Sequence, residues 1–261
     1  LINFAHGDLF MLSGIMMIYL AAAFPTMPMW VTILLMIALT VFVGFAIEKC
    51  AYSPLRTAPR MSVMISAIGV SYLLQNLVCY VTGGLAKQFP DIPLISQSIR
   101  VFGVKDKLAV FISPLVAVVL MVILVLIINH TKFGMSMRAV SKDFETAQLM
   151  GVKINRVISM TFIIGSFLAA VGALLYFAKN TGINHMAGST PGIKAFIAAV
   201  VGGIGSVPGA VVGALLIGVV ESLAKAFGLA DFSDVISFAL LIIILVIKPT
   251  GLFGEKTTEK V

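Results

Sequence analysis

Charge is scarce in this chain: Asp, Glu, Lys and Arg make up 11% of its 261 residues, against about 25% in a soluble globular domain. With 60% hydrophobic residues and a mean hydropathy of +1.10, that shortage excludes a water-soluble domain and points to lipid. Cysteine is nearly absent, and Cys50 and Cys79 alone provide neither a disulfide framework nor a metal-ligand spacing. His6, His130 and His185 are far apart in sequence and set no ligand pattern, which disfavours a metal site and a membrane enzyme. No glycine-rich run ends in Gly-Lys-Ser/Thr to cradle phosphates, so no nucleotide or other cofactor is expected on this chain. The net charge of +7 lies in loops between apolar runs, a topological signal rather than a nucleic-acid footprint.

What is present is a series of continuous apolar runs, helical because they do not alternate as barrel strands do. They cover roughly residues 9–24, 30–47, 62–82, 108–128, 157–177, 195–201, 210–223 and 235–247. A full span needs about 20 residues, which 30–47, 62–82, 108–128 and 157–177 approach or exceed. The region 192–223 is interrupted by "GGIGSVPGA", which no straight helix would carry across its middle. The expected fold is all-α: a polytopic transmembrane helical bundle of about eight segments, short and broken ones included, forming one membrane domain over 1–261. The chain begins at Leu1, without methionine and already within a span-like stretch, so a preceding segment is expected. Basic residues place the loops 48–61 (Lys49, Arg56, Arg60) and 129–156 (Lys132, Arg138, Lys142, Lys153, Arg156) in the cytoplasm. Alternation of spans then puts 83–107 outside, where Pro90 and Pro93 favour extended structure.

The loop 129–156 is too long and polar for a simple turn. "SKDFETAQLMG", residues 141–151, reads as a short helix of about ten residues, a rod of about 15 Å. Ser141 is the expected cap, Asp143 favours the positive N-terminal end, and Gly151 is a suitable stop. Phe144 and Ala147, with Leu149 and Met150, form an apolar side, while Lys142, Glu145 and Gln148 face water. Such a helix suits docking on a cytoplasmic partner or lying on the lipid surface.

At the other end, "LINFAHGDLF" sets Asn3, His6, Gly7 and Asp8 at the mouth of a span. Two readings stand: these residues line a translocation path, or Asp8 caps the helix while Asn3 and His6 satisfy backbone groups. Gln75 and Asn76 should face the bundle interior, bonding helices or meeting polar solute. Gly202, Gly203 and Gly205 allow close packing or unusual dihedrals beside the same path, and Pro208 suits the start of the next helix. Glu221 and Lys225 are spaced as a helical ion pair.

The stretches "INFAHGDLFMLSG", "ISAIGVSYLLQN", "AVSKDFETAQLMGVKINRVISMTFIIGS", "GIKAFIAAVVGGIGSVPGAVVGALLIGVVES" and "DVISFALLIIILVIKPTGLFG" resemble the branched-chain amino acid permeases of bacterial ATP-binding-cassette (ABC) importers. The similarity is to the H-type subunit of the leucine/isoleucine/valine system and covers nearly the whole chain. It implies a multi-pass protein of the bacterial cytoplasmic (inner) membrane that moves branched-chain or related hydrophobic amino acids by alternating access, with no catalysis of its own. The implied partners are a second, similar permease subunit, two cytoplasmic ATPase subunits that bind the ATP, and an external substrate-binding protein. Members of the family begin with about one further span. The segment Glu145-Thr146-Ala147, with Gly151 after it, is similar to the loop that such permeases press into their ATPases, though threonine replaces the middle alanine. The resemblance thus makes Ser141, Lys142, Asp143, Phe144, Glu145, Ala147 and Gly151 the expected ATPase-coupling residues. A permease for urea or short amides, and a self-sufficient secondary carrier, are the competing expectations; the carrier would need buried ion-coupling carboxylates, and Asp8 and Glu221 lie near span ends.

Overall fold

The computed structural model describes residues 5–254, apart from 57, 94 and 102. Among them, seven helical segments are long and apolar enough to cross a membrane: His6–Ala23, Met29–Leu55, Met61–Thr82, Leu108–His130, Ile154–Lys179, Val207–Ala226 and Ala230–Ile247, with Ser189–Gly202 as a shorter apolar helix. The expected helical bundle is therefore what forms. Its α-helices are α1 (His6–Ala23), α2 (Met29–Ile47), α3 (Arg60–Thr82), α4 (Leu108–His130), α5 (Lys132–Lys142), α6 (Phe144–Leu149), α7 (Ile154–Lys179), α8 (Ser189–Gly202), α9 (Val207–Ala226) and α10 (Ser233–Ile247). The chain divides into two compact units, Leu1–Leu120 with Ile127–Gly192, and Met121–Leu126 with Ile193–Val261.

In the first unit, α1, α2 and α7 pack on one another around Met11, Leu12, Ile15, Met36, Ala170, Ala173 and Phe177. Lipid is as apolar as leucine, so these helices associate through close packing and hydrogen bonds rather than burial from water. The contacts show it. Gly44 of α2 lies against Ser166 of α7, and a Cβ on Gly14 would come 2.7 Å from the Phe177 ring. Ser13 donates to the Met36 sulfur at 2.8 Å, and Thr40 to the Met36 carbonyl at 2.9 Å.

The segment after α3 is extended, as its prolines predict. Gly83 ends the helix in the left-handed region. Strand β1 (Lys87–Gln88) pairs antiparallel with β4 (Gly182–Ile183), and β2 (Ser98–Val101) with β3 (Val104–Lys107). Phe89 and Ile92 bury their side chains in the α1–α2–α7 core, which anchors this non-helical stretch.

In the second unit the predicted break falls where the glycines are. α8 stops at Gly202, Gly203 and Gly205 take φ of 108° and 98°, and α9 begins at Val207 with Pro208 in its first turn. Ser206 caps α9 by accepting from the Gly209 amide at 3.1 Å. The end of α8 is closed by the returning chain, because Leu252 and Phe253 donate their amides to the Val201 and Gly202 carbonyls, both at 2.9 Å. Ile197, Ala198, Val201 and Ile217 form this unit's core against Leu240, Leu241 and Ile244. The expected Glu221–Lys225 pair does not form. Glu221 takes Lys194 of α8 at 2.8 Å and Ser237 of α10 at 2.9 Å, and Lys194 also meets Asp234 at 2.9 Å. A cation from a neighbouring helix, already aimed at two acids, is the better partner than an i+4 lysine on the outer face.

The Gly44–Ser166 contact leaves no room for a side chain. Gly44→Val is expected to cost about 1–3 kcal/mol in reversible unfolding from mixed micelles. Gly69→Ala, in open space on α3, should not destabilise, since alanine is the better helix former.

Candidate functional site

Asn3 lies outside the described residues. The rest of the opening cluster is split by the helix it begins. α1 starts at His6 with Ala5 as its N-cap residue and no side-chain cap. Asp8 therefore does not cap the helix. Its carboxylate is buried and accepts from Ser71 Oγ at 2.5 Å and from Gln75 Nε2 at 2.9 Å, both on α3. Gln75 also reaches Ser189, the first residue of α8, at 3.5 Å. Gly7 makes this convergence feasible, since a Cβ there would lie 2.9 Å from the Gly192 Cα. The result is a hydrogen-bonded knot that joins the starts of α1 and α8 to the middle of α3, with the carboxylate satisfied by neutral donors.

The other proposed pathway residues are not in this knot. His6 turns its ring toward Gly165 of α7. Asn76 is exposed and donates to the Tyr72 carbonyl of its own helix at 2.8 Å, so the expectation that it faces the bundle interior does not hold within this chain. Gln75, one residue earlier, does face inward. Gly202, Gly203 and Gly205 sit in the second unit at the α8–α9 joint. Among the described residues, no group of three or more His, Cys, Asp or Glu side chains converges as a metal site would require.

The loop 129–156 holds two helices where one was expected. α5 is capped by Thr131, which accepts from the Gly134 amide at 3.0 Å, and it runs through Ser141 and Lys142. Ser141 is thus an interior residue that donates to the Arg138 carbonyl at 2.9 Å, not a cap. The cap is Asp143, two residues on: its Oδ1 accepts from the Glu145 and Thr146 amides at 3.0 and 3.1 Å, and Thr146 Oγ1 donates to Oδ2. The Thr146 hydroxyl, helped by these amides, holds the Asp143 carboxyl below the usual carboxylate range. Gly151 stops the helix as expected, with φ of 82°. The rod is six residues, about 9 Å rather than 15 Å long. Ala147 is buried, whereas Leu149 and Met150 are 87% and 80% exposed. The apolar side is thus divided, with Ala147 seating the rod and Leu149 and Met150 left outward.

A group that sequence reasoning passed over lies beside this rod. After α2 the backbone widens into a π-turn, Glu48–Tyr52. Glu48 is fully buried and receives Arg56 Nη2 and Ser159 Oγ, the latter at 2.8 Å. Arg56 also donates through Nη1 to Asn155 Oδ1 in the first turn of α7. The only local signal was an acid set directly after the apolar run 30–47, with an arginine eight residues on across Pro54. An open cleft of about 530 Å³ runs from Arg56 to α6, with Phe144, Gln148, Lys153, Asn155 and Arg156 on its walls.

The family described as "Branched-chain amino acid transport system / permease component" matches residues 1–245. The chain is 36% identical to the high-affinity branched-chain amino acid transport system permease protein LivH of Salmonella typhimurium, across 100% of this chain and 88% of that protein. It is 38% identical to the permease protein BraD of Pseudomonas aeruginosa, again across 100% and 88%. To a probable LivH of Methanocaldococcus jannaschii it is 29% identical, across 97% of this chain and 82% of the other. No solved structure matches significantly.

Two outcomes follow from the buried pair and the cap. Removing one partner of a buried ion pair strands the other, so Arg56→Met should destabilise by about 3–5 kcal/mol, and adding Glu48→Leu should recover much of that loss in a denaturant double-mutant cycle. Asp143 has a depressed pKa in the fold, so its stabilisation is complete above the ordinary carboxylate value near 4 and is lost as pH falls through the lowered value. Exchange of the Glu145 and Thr146 amides, corrected for intrinsic rate, should stay slow from neutral pH to about 4 and quicken below. In Asp143→Ala it should be fast throughout.

Proposed function

Since the chain belongs to the family of branched-chain amino acid transport permease components, we propose that it is the membrane-spanning permease subunit of an ABC importer for branched-chain amino acids. It works as a multi-pass protein of the bacterial cytoplasmic membrane. The observation that carries this reading is the family match over residues 1–245, which spans all seven crossing helices almost to the end of the last. The names of the matched relatives favour a branched-chain cargo over urea or short amides.

In this reading the chain supplies the passage and partners supply the energy. A second permease subunit, different in sequence, completes the pathway; two ATPase subunits bind and hydrolyse ATP; an external binding protein delivers the amino acid. Three features support α6 as the docking point. It lies between two full spans, carries Glu145 and Ala147 in the family's order, and presents Leu149 and Met150 outward. ATP-driven closure of the ATPases pushes on α6, and α7, which follows after Gly151 and a short turn, carries the push into the α1–α2–α7 core. The Asp8–Ser71–Gln75 knot holds helix starts together while that core shifts. A zwitterionic aliphatic solute needs an apolar wall with few polar groups, which such helices provide, so selectivity resides mainly in the binding protein.

Glu145→Arg, or deletion of residues 142–148, is expected to leave the protein inserted while abolishing ATPase association and uptake in reconstituted vesicles. Normal uptake by either variant would refute the docking role. Solute accumulation by this chain alone, without ATPase subunits, would refute the ABC reading.

A further inference from the structure

The cleft beside the coupling rod is chemically one-sided. Among the described residues its walls carry Arg56, Lys153 and Arg156 and no carboxylate. Glu48 offsets part of the Arg56 charge from behind, inside the protein. Arg56 is unusual among the three. Its side chain is only 10% exposed, both Nη atoms are engaged, and its Nε is buried with no hydrogen-bond partner among the described residues. A buried donor left unmatched is costly, and here it belongs to a residue on the wall of an open cleft. Phe144 and Gln148 bring the coupling rod to the same cleft.

We infer that this cleft is a second contact point for the ATPase, receiving an acidic side chain from the surface on which α6 docks. The inference rests on the docking reading above and adds to it the charge of the partner. A carboxylate entering here meets the cations of Lys153 and Arg156 and the guanidinium-bearing wall at Arg56, and such charge-assisted contacts favour Arg with carboxylates. A protein surface fits better than anionic lipid, because Asp143 and Glu145 stand exposed in the first turn of α6 beside the cleft. A uniformly negative headgroup layer would repel them, whereas a protein groove can set opposite charges individually. The contact is also wired inward. Arg56 holds Glu48 on the π-turn below α2 and Asn155 at the start of α7, so an acid seated in the cleft touches the residue that joins two core helices.

Arg56→Gln would strand Glu48 and risk misfolding, so Lys153→Glu with Arg156→Glu carries the test; both side chains are exposed. The complete permease pair, in nanodiscs of neutral phosphatidylcholine, is titrated with the transporter's own ATPase subunits over a series of salt concentrations. The double reversal should weaken binding at low salt by about tenfold or more and flatten the salt dependence. Reversing one acid of the ATPase groove to lysine should restore both. Wild-type affinity and salt slope in the double variant would overturn the proposal, as would a loss seen only when phosphatidylglycerol is added, which would assign the cleft to lipid. Deletion of 142–148 separates the two readings: if that deletion binds normally, docking through α6 itself fails, whereas if it abolishes binding and the charge reversal does nothing, only the cleft fails.

Discussion

The constraint that organises this molecule is the absence of water from the hydrocarbon: every polar group taken there must find its partner inside the protein. Asp8, Glu48 and Glu221, near the ends of apolar runs, are the acids that come closest to testing it, and each is met by donors from other segments. Asp8 is bonded from α3, Glu48 from Arg56 and from Ser159 of α7, and Glu221 from Lys194 of α8 and Ser237 of α10. Carboxylates in such settings act as fasteners between spans. They do so where apolar side chains cannot, since one apolar surface gains little by leaving lipid for another.

The same constraint explains why small residues occupy the crossings. With no burial from water to drive association, helices gain from approaching closely, and Gly7, Gly14 and Gly44 stand where a side chain would collide with Gly192, Phe177 or Ser166. Bulk is placed around these points instead, as in the Phe10, Tyr176 and Phe177 ring cluster with centroids 5.1–5.4 Å apart. These close crossings stand next to a π-turn, Glu48–Tyr52, and the two short helices α5 and α6.

Much of this was legible in the sequence, and what was not has mainly one cause. Span length and continuity depend only on local apolarity, so every crossing helix could be read from the letters, as could the break at 202–210, where glycine and proline act on their own backbone. Most of the residues misjudged had competing partners, whereas Asn76 simply turns outward and bonds its own helix. Asp8 looks like a cap until Ser71 and Gln75, 63 and 67 positions away, compete for it. Glu48 was passed over because its partner Ser159 is 111 positions distant. Glu221 has a suitable lysine at i+4 and a better one on another helix. Ser141 and Asp143 are both good capping residues, and α5 extends far enough to absorb the first. The short helix at α6 was expected from position and composition, while the cleft beside it depends on Arg56, brought from another loop by tertiary folding.

The returning tail also settles a backbone account. A helix that stops part-way leaves carbonyl oxygens bare. By laying the amides of Leu252 and Phe253 over the Val201 and Gly202 carbonyls, the chain lends α8, from about fifty residues downstream, two of the donors that its own next turn would have supplied. An interruption in the helix therefore need not be an unsatisfied one.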